Sequence, residues 1–503
     1  MRLQRMLGAA LLLALAGCVA PVPGMGGAAQ RFAEVRTSPP LLRGFLNRMP
    51  KGGDLHTHLS GAAYAEGLLQ AGAAAGLCLD PATTTVSPAP CATGQRPLRD
   101  ALGDGALNRA VVDGWSMRGF VPTAGRSGHD QFFDAFARFG AAVQAATAAA
   151  EVVDRAGRQR IRYLELMVTF QGGAARRLGA SIPWQGDPAA FRGQLMQAGI
   201  AGLVPAARAE ARAVEAAMRQ RLHCGTPAAS PGCAVDVRWK AQISRTSPPG
   251  QVAAQALLAA LLQQADSRVV GINLVAPEDH PVALADYSLQ MRIMGDVHDA
   301  IPGTNIALHA GELALGLVPP EAMRFHIAEA VHQGRARRIG HGVDIMFEDD
   351  AFALLREMAV RRIAVEVNLS SNDVILGVKG AQHPLPVYLA AGVPVVLSTD
   401  DEGVSRIDRT HELQRAVEEH GLDWPTLLLL ERNTLEYAFL PGASLWAEPR
   451  EARRVPACAG ADPLRAPPEA CAALLAASPK AALQWSLERD LAAFDTEAPG
   501  LRY

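Results

Sequence analysis

The chain has 503 residues, of which 49% are hydrophobic and 19% charged, a balance that excludes disordered and fibrous proteins. Its formal net charge is −2 and it has no basic patch, so we expect no nucleic-acid partner. The 47 glycines and 34 prolines are too many for a helical bundle or a coiled coil. The composition therefore predicts a globular protein that is not all helical.

The N-terminus has the pattern of an export signal. Arg2 and Arg5 precede the apolar run Met6–Ala16, which at eleven residues is too short to span a bilayer. The run ends in Leu15-Ala16-Gly17-Cys18, which resembles the lipobox of bacterial lipoproteins.

The lipobox resemblance implies how the N-terminus is processed. Residues 1–17 are removed as a signal peptide, Cys18 is lipidated, and residues 18–45 form a tether and a lead-in to the folded part. Val19, in place of Asp, implies sorting to the outer membrane, where the protein faces the periplasm and is attached by its lipid anchor alone. The alternative is an ordinary signal peptide with an incidental Cys18, which would leave the protein periplasmic.

Short segments rich in Val, Ile and Leu alternate with amphipathic stretches between residues 46 and 440. Such alternation predicts a parallel sheet covered by helices, and eight units favour an α/β fold of the (β/α)8 TIM barrel type. An open, doubly wound sheet is the alternative, but the first strand lacks the glycine-rich turn of a dinucleotide site. The predicted strands are Gly53–Leu59, Ile161–Thr169, Val235–Ser244, Val269–Val275, Asn305–Ala310, Arg338–Asp344, Ile363–Asn368 and Pro394–Thr399.

Six cysteines other than Cys18 fall into three local pairs, separated by 13, 9 and 13 residues. The first two pairs lie in predicted insertions near residues 71–128 and 223–234, and the third lies in a C-terminal extension of residues 441–503. Because an exported chain meets an oxidising compartment, we predict three surface disulfides. A cysteine-based metal site is the weaker alternative, since no Cys-x-x-Cys occurs. The pairs are Cys78/Cys91, Cys224/Cys233 and Cys458/Cys471.

Histidines and carboxylates stand at the ends of four predicted strands, where barrel enzymes place their active sites. His56 and His58 are two residues apart on the first strand, so both imidazoles lie on one face and can reach a single metal ion. Three histidines and an aspartate at one barrel mouth predict a mononuclear zinc site with room for a water. The polar residues at the later strand ends are His309, Glu312, His341, Asp400 and Asp401.

The motifs around these residues resemble the adenosine deaminase family of the amidohydrolase superfamily. The resemblance covers residues 46–440, and its most specific parts are the His-Ala-Gly-Glu and Thr-Asp-Asp elements. The matching segments are Met49-Pro50-Lys51, His56-Thr57-His58, His309-Ala310-Gly311-Glu312, Gly340-His341-Gly342 and Ser398-Thr399-Asp400-Asp401.

The resemblance implies a zinc-dependent deaminase with one zinc ion per chain. The implied ligands are His56, His58, His309 and Asp400. Zinc lowers the pKa of its bound water to about 7, and the resulting hydroxide attacks C6 of the purine.

The resemblance also assigns the acid and base roles. Glu312 is protonated and donates to N1 of the purine, while His341 and Asp401 orient the hydroxide. Adenosine and 2′-deoxyadenosine are the expected substrates, and the adenosine reaction yields inosine and ammonia. The alternative for Glu312 is a solvated loop carboxylate.

The sequence departs from the family pattern at two positions that are implied to bind substrate together with His58 and Asp401. Ser60 stands where most adenosine deaminases have an aspartate that contacts the ribose 5′-hydroxyl, and Ala276 stands where the family uses the backbone amide of a glycine. A 5′-modified adenine nucleoside or a nucleotide is therefore an alternative substrate. His383 also matches a family element, and we predict a structural role for it.

Two other readings of the sequence are weaker. A binuclear site would need a bridging lysine on the fourth strand, which has none, although Lys240 lies on the third. The Pro-Cys-x-x-Cys signature of cytidine-deaminase-like enzymes is absent. A catalytically inactive, surface-anchored binding protein on the same scaffold remains the alternative from another functional class.

Overall fold

The computed structural model describes residues 26–501, so the predicted signal peptide and Cys18 lie outside the described residues. Eight parallel strands, here numbered β1 to β8, form the centre of the molecule. Each predicted strand is present, with ends that differ by a few residues. The strands are β1 Lys51–His58, β2 Ile161–Val168, β3 Asp236–Ser244, β4 Val269–Val275, β5 Ala307–Ala310, β6 Arg338–His341, β7 Ala364–Val367 and β8 Val395–Leu397.

The strands close into a barrel in chain order. Strands β1 to β4 pair in sequence, as do β5 to β8. At one seam the Asp400 amide donates to the His56 carbonyl at 2.8 Å, and the His58 amide donates to the Asp400 carbonyl at 3.2 Å. At the other seam the Ile272 amide donates to the Asn305 carbonyl at 3.0 Å. The predicted (β/α)8 barrel is therefore confirmed, and the open sheet is excluded.

Helices cover the outside of the barrel between successive strands, and the strands are therefore buried on both faces. The helices that follow β2 to β8 are Gly172–Ser181, Pro188–Gln197, Val204–Arg221, Pro249–Ala265, Pro281–Ala300, His326–His332, Ala351–Arg361, Leu369–Leu376, Leu385–Ala391, Glu402–Ser405, Arg409–His420 and Trp424–Glu436.

The segment between β1 and β2 holds the first predicted insertion. Its helices are Leu59–Ala62, Ala65–Ala74, Asp100–Gly103, Gly105–Gly114, Gly128–Phe139 and Ala145–Arg158, with three two-residue strands at Cys78–Leu79, Val86–Ser87 and Arg96–Pro97.

One predicted helix is broken in the structure. The amphipathic pattern predicts a single helix over Gln131–Arg155, but the chain leaves the helix after Phe139, makes a short turn at Gly140–Ala142, and is extended at Val143. A glycine at the break is consistent with its poor helix propensity. The first half, Gly128–Phe139, is called the mouth helix below because it borders the open end of the barrel.

The N-terminal end of the barrel is closed by the chain termini. The helix Gly27–Val35 packs there against Pro39–Arg48 and against the C-terminal helix Pro479–Glu497, which also contacts Glu469–Ala477. Leu487 and Leu491 of the last helix lie in one apolar cluster with Leu55 of β1. Packing of these helices therefore closes the barrel interior at this end, and the interior is open at the opposite end. Among the described helices, none is both long and apolar enough to cross a membrane.

The structure brings all three predicted cysteine pairs to bonding distance. The Cα–Cα separation is 5.2 Å for Cys78–Cys91, 5.5 Å for Cys224–Cys233 and 4.8 Å for Cys458–Cys471. These separations lie within the range that a disulfide can bridge. The predicted pairing of neighbouring cysteines is therefore the pairing that the fold adopts.

The prediction that all three disulfides lie on the surface is wrong. Only Cys91 is exposed, whereas its partner Cys78 is fully buried. The reason is that the short strand Cys78–Leu79 lies between two others in a small sheet, while Cys91 lies in the loop that connects those outer strands. Cys224 and Cys233 are half-buried, because both pack against the main hydrophobic core.

The third pair departs furthest from the surface prediction, because Cys458 and Cys471 are both fully buried. They pack with Leu445, Trp446 and Trp485. The extension thus has a small core of its own around this pair, a feature that its Ala- and Pro-rich composition did not indicate.

Candidate active site

The four implied metal ligands meet at the C-terminal mouth of the barrel. His56 and His58 end β1, His309 lies on β5, and Asp400 follows β8. One ligand atom from each of these residues lies within 4.8 Å of all the others. The Nε2 atom of His309 is 3.0 Å from Nε2 of His56 and 3.2 Å from Nε2 of His58.

The donor set fits a single four-coordinate zinc ion. Ligand atoms about 2.0–2.1 Å from a tetrahedral zinc are separated by roughly 3.3 Å. The nitrogen separations are close to that value, and Asp400 Oδ1 lies 3.4 Å from Nε2 of His56 and 3.3 Å from Nε2 of His58. The same Asp400 oxygen is buried and has no hydrogen-bond partner among the described residues. A cation between these atoms would balance the negative charge of that oxygen and serve as its partner.

Cysteines take no part in this site. Among the described residues, the groups that could hold a metal ion consist of histidines and carboxylates alone. Neither Cys91 nor Cys233 lines the cavity at the ligand set, and each lies beside its own disulfide partner instead. The weaker alternative of a cysteine-based metal site is therefore not supported within residues 26–501.

Each histidine of the set is oriented through its other ring nitrogen. The Nδ1 atoms of His56, His58 and His309 face side-chain oxygens at 2.6, 3.4 and 3.1 Å. An acceptor at Nδ1 holds the proton there, so the Nε2 lone pair is free to bind a metal. The three acceptors are Glu366 of β7, Gln242 of β3 and Asn273 of β4.

Burial tunes the charge of these rings. It lowers the pKa of His58 to about 4 and that of His309 well below its usual range, so both rings are neutral at pH 7. For His56, burial acts in the same direction, but the carboxylates of Asp400 and Glu366 outweigh it and raise the pKa. Two neutral imidazoles, together with the carboxylates of Asp400 and Glu366 beside His56, form a site that attracts a cation.

Glu312 is buried, so it is not the solvated loop carboxylate that the sequence left open as an alternative. Burial, helped by the charges of Asp400 and Glu278, raises its pKa well above the usual range of a carboxyl. The Glu278 carboxylate also accepts the backbone amides of Gly311 and Glu312 at 3.0 and 3.1 Å, which fixes the turn. The raised pKa favours the protonated form of Glu312, from which a proton can be donated.

Asp401 is a second buried carboxyl beside the ligand set. Burial and the charges of Asp400 and Glu312 raise its pKa well above its usual range, and its Oδ1 has no hydrogen-bond partner among the described residues. A Cβ at Gly61 would lie 1.8 Å from that oxygen, so only glycine leaves room for the carboxyl. The site thus pairs one ionised aspartate with a neutral neighbour.

A chain of hydrogen bonds fixes the proton on His341. The Leu385 amide donates to Nδ1 of His383, so the proton of His383 lies on Nε2, which donates to Oδ1 of Asn372 at 3.0 Å. The Asn372 amide group then donates to Nδ1 of His341 at 2.9 Å. Because burial lowers the pKa of His341 to about 3, its single proton lies on Nε2, 3.9 Å from Oδ2 of Asp400.

His383, predicted to be structural, therefore reaches the site through Asn372. Replacing Asn372 with Ala should lower kcat about 10- to 100-fold with little loss of bound metal, as is typical for residues that orient catalytic groups. Replacing His383 with Phe should have a smaller effect through the same chain. The double variant should be no slower than Asn372→Ala alone. Steady-state kinetics and metal analysis of the three variants test this, and additive losses would contradict a shared chain.

A cavity of about 340 Å³ opens onto the candidate ligand set. Glu312, Asp400 and Asp401 are the carboxyl residues of its wall, and no Arg or Lys lines it. Phe132, Phe133 and Phe136 of the mouth helix supply an apolar side. The remaining lining residues are His58, Ser60, Gln242, Val275, Ala276, Pro277, His309 and Ile375. The two predicted substrate-contact positions, 60 and 276, thus lie in the same cavity as the ligands.

The backbone at Ala276 has the left-handed conformation that favours glycine, with φ +86°. This matches the glycine that the family uses at that position. Ala276 thus retains the backbone geometry at some conformational cost.

Several residues of the site were not among the sequence-based candidates. Gln242, Asn273 and Glu366 lie in ordinary strand sequences, and only the strand register shows that they face the histidines. The three phenylalanines had a usable signal, since positions 132, 133 and 136 share one face of a helix. Near the strand ends, Glu165 pairs with Arg338 and Arg245 pairs with Glu278, whereas Asp344 has no hydrogen-bond partner on either oxygen among the described residues.

Known proteins resemble the chain in both sequence and fold. The family described as Adenosine deaminase matches residues 131–445. Adenosine deaminases of Shewanella loihica and Klebsiella pneumoniae are 38% and 36% identical over 145 and 208 residues. These alignments cover 29% and 41% of this chain and 40% and 56% of the relatives, so the chain spans about half of their length.

A structural likeness agrees with this family match. The apo N6-methyl-AMP deaminase of Arabidopsis thaliana has a TM-score of 0.51 and 20% identity, and the match covers 79% of this chain and 94% of that chain. At this identity the likeness shows the shared fold. The family match covers more than half of the chain, and its motifs predicted the same assignment. The chain therefore belongs to the adenosine deaminase family.

Proposed function

We propose that the chain catalyses the zinc-dependent hydrolytic deamination of adenosine, and of 2′-deoxyadenosine, at C6 of the purine. The adenosine reaction yields inosine and ammonia. The observation that carries the proposal is the placement of the buried Glu312, whose pKa is raised, in the same cavity as a candidate set of four metal ligands. Family membership supports the reaction class.

His56, His58, His309 and Asp400 would hold the zinc ion. When bound, zinc lowers the pKa of a coordinated water and so supplies a nucleophile near neutral pH. Glu312 donates its proton to N1 of the purine, which makes C6 more electrophilic. His341 presents an N–H on the side of Asp400 and can orient the attacking water, while the carboxyl of Asp401 can accept from it.

The charge of the cavity favours a nucleoside over a nucleotide. Its wall contains carboxyl residues but no Arg or Lys that could bind a phosphate. A phosphate at the 5′ end of the substrate would therefore be desolvated without a cation to compensate it, at a cost on the order of several kcal/mol. The Arabidopsis relative is named for a nucleotide, N6-methyl-AMP, so this chain would differ from it in substrate class.

A substrate panel tests the proposal. With zinc bound, kcat/KM for adenosine should exceed that for AMP at least about 100-fold, because the cavity wall offers no cation to the phosphate. The variant Ser60→Asp should lower KM for adenosine about fivefold to tenfold, since a hydrogen bond to a charged group is stronger. Ultraviolet absorbance follows both reactions. Equal or better turnover of AMP would overturn the nucleoside assignment.

A 5′-modified nucleoside is the second candidate substrate. It is favoured by the uncharged Ser60 and by the apolar wall of Phe132, Phe133 and Phe136 in the same cavity. Including 5′-methylthioadenosine in the panel distinguishes the two candidates. A higher kcat/KM for it than for adenosine, reversed in Ser60→Asp, would assign the 5′-modified class.

We also propose that the protein is exported and anchored by a lipid on Cys18. The lipobox-like segment and three cysteine pairs at disulfide distance support an oxidising compartment. The variant Cys18→Ser should incorporate no radiolabelled palmitate and should move from the membrane fraction to the soluble fraction. The neighbouring Val19→Ala variant is the control. Membrane association that survives Cys18→Ser would reject the lipid anchor.

A further inference from the structure

A second cavity, of about 480 Å³, lies at the N-terminal end of the barrel, on the side away from the candidate active site. Strands β6 and β7 begin at its wall. It is lined by His298, Arg335, Ala336, Arg337, Arg338, Arg361, Arg362, Ile363, Glu436, Tyr437, Ala438, Phe439 and Lys480. Six of these residues are Arg or Lys and one is a carboxylate, in a chain whose formal net charge is −2.

Four of the six cations already have carboxylate partners. Arg338 is buried, and all of its donor nitrogens are used by Glu165, Glu366 and the Tyr437 carbonyl. The other three pairs are Arg335 with Asp299 at 3.1 Å, Arg361 with Glu357 at 2.6 Å, and Arg362 with Glu436 at 2.9 Å. These four side chains form part of the cavity wall, but their positive charges are already balanced by carboxylates.

Arg337 and Lys480 are different, because neither has a carboxylate within 4.0 Å among the described residues. Arg337 donates one nitrogen to the amide oxygen of Asn305 at 2.8 Å, and Lys480 donates to the backbone carbonyl of Glu436 at 2.7 Å. The Glu436 carboxylate is occupied by Arg362, Ser444 and Gln484.

The positive charges of Arg337 and Lys480 are only partly balanced by nearby carboxylates. Burial lowers the pKa of Lys480, the charge of Glu436 offsets part of this, and the positive charge of Arg337 lowers the pKa again. Burial and the charge of Arg338 likewise lower the pKa of Arg337. Both groups have N–H donors that are not used by the protein, and both border one concave space.

We propose that this cavity binds a phosphate-type oxyanion, held by the guanidinium of Arg337 and the ammonium of Lys480. A guanidinium offers paired N–H donors to two oxygens of such an anion, and an ammonium adds a point charge. The anion would supply the negative charge that the protein does not place there. Its source is either a free phosphate compound or the headgroup of an anionic phospholipid.

Calorimetric titration of the full chain with inorganic phosphate and with pyrophosphate, at low ionic strength, tests the site. We expect the wild type to bind at least one of these anions, and the double variant Arg337→Gln, Lys480→Gln to bind at least tenfold more weakly. A matched double variant, Arg176→Gln with Arg177→Gln, removes two exposed arginines from the helix Gly172–Ser181 and should bind like the wild type. Co-sedimentation with phosphatidylglycerol vesicles, compared with phosphatidylcholine vesicles, distinguishes a lipid headgroup from a free anion.

A labelling measurement on the wild type keeps the test valid if the double variant fails to fold. The chain has four lysines, of which Lys51 and Lys240 are buried. Pyrophosphate, or phosphatidylglycerol vesicles, should protect Lys480 from acylation while leaving Lys379 unprotected, as read by peptide mass spectrometry. The proposal fails if neither anion nor vesicle binds the wild type, if the double variant binds as tightly, or if Lys480 is not protected.

Discussion

A Glu312→Gln variant should bind zinc normally and lose most of its turnover. Glutamine has the same shape, and the amide of residue 312 would still donate to Glu278, so the site should keep its structure. Glutamine has no acidic proton, whereas the raised pKa of Glu312 favours the protonated form that can donate one. Loss of a general acid typically lowers the rate about 10²- to 10⁴-fold. Steady-state deamination of adenosine and metal analysis of the same preparation measure both effects.

The control for this variant is Glu321→Gln. Glu321 lies on the same loop after β5 but is exposed. Its replacement should leave kcat within about twofold, as expected for surface changes away from the site. If Glu312→Gln retained wild-type kcat with zinc bound, Glu312 would not be the proton donor.

A His309→Ala variant should lose the metal and, with it, the activity. His309 is central to the ligand set, because its Nε2 lies 3.0 Å from His56 and 3.2 Å from His58. Loss of an outer hydrogen-bond partner of a ligand costs 10- to 100-fold in affinity, so loss of a ligand itself should cost more than about 100-fold. Zinc titration against a competing chelator measures the affinity directly.

The matched control is His332→Ala. His332 is an exposed histidine that pairs with Glu357 at 2.9 Å. It is not part of the candidate ligand set and does not line the cavity. It should bind zinc like the wild type. Unchanged zinc affinity in His309→Ala would remove this residue from the ligand set.

The sequence predicted the barrel well because its strands carry a simple signal. Parallel strands buried on both faces read as runs of Val, Ile and Leu, and all eight runs became strands. The helix predicted over Gln131–Arg155 failed because its apolar periodicity continues through the turn at Gly140–Ala142. Periodicity describes which face is buried, whereas the break depends on local backbone propensity.

The candidate site was predicted only in part. The candidate metal-ligand histidines and Asp400 could be predicted because they lie in short motifs at strand ends. Glu366 and Asn273 were not, since their roles depend on which strand lies beside which. The same holds for Asn372, whose effect on His341 requires a contact with His383 eleven residues away. Residues that orient others through tertiary contacts leave no local pattern in one sequence.

The burial of the disulfides has a similar explanation. The segments between the paired cysteines are rich in small residues and proline, which is typical of surface loops. The exposure that this composition predicts is found for Cys91. Cys233 is half-buried because the turn Pro231–Ala234 packs against the helix Ala145–Arg158. Trp446 and Trp485, from separate parts of the extension, pack around the third pair. Composition alone therefore could not separate the exposed cysteine from the buried ones.

The central claim, that His56, His58, His309 and Asp400 form a catalytic metal site, is tested most directly by a reconstitution assay. The protein is stripped with a chelator, dialysed, and assayed with adenosine before and after one equivalent of zinc is added. We expect no turnover in the stripped protein and recovery of inosine and ammonia formation with a single zinc per chain. Full turnover without metal, or no conversion of any adenine nucleoside when zinc is bound, would contradict it, and the second result would favour a catalytically inactive binding protein on the same scaffold.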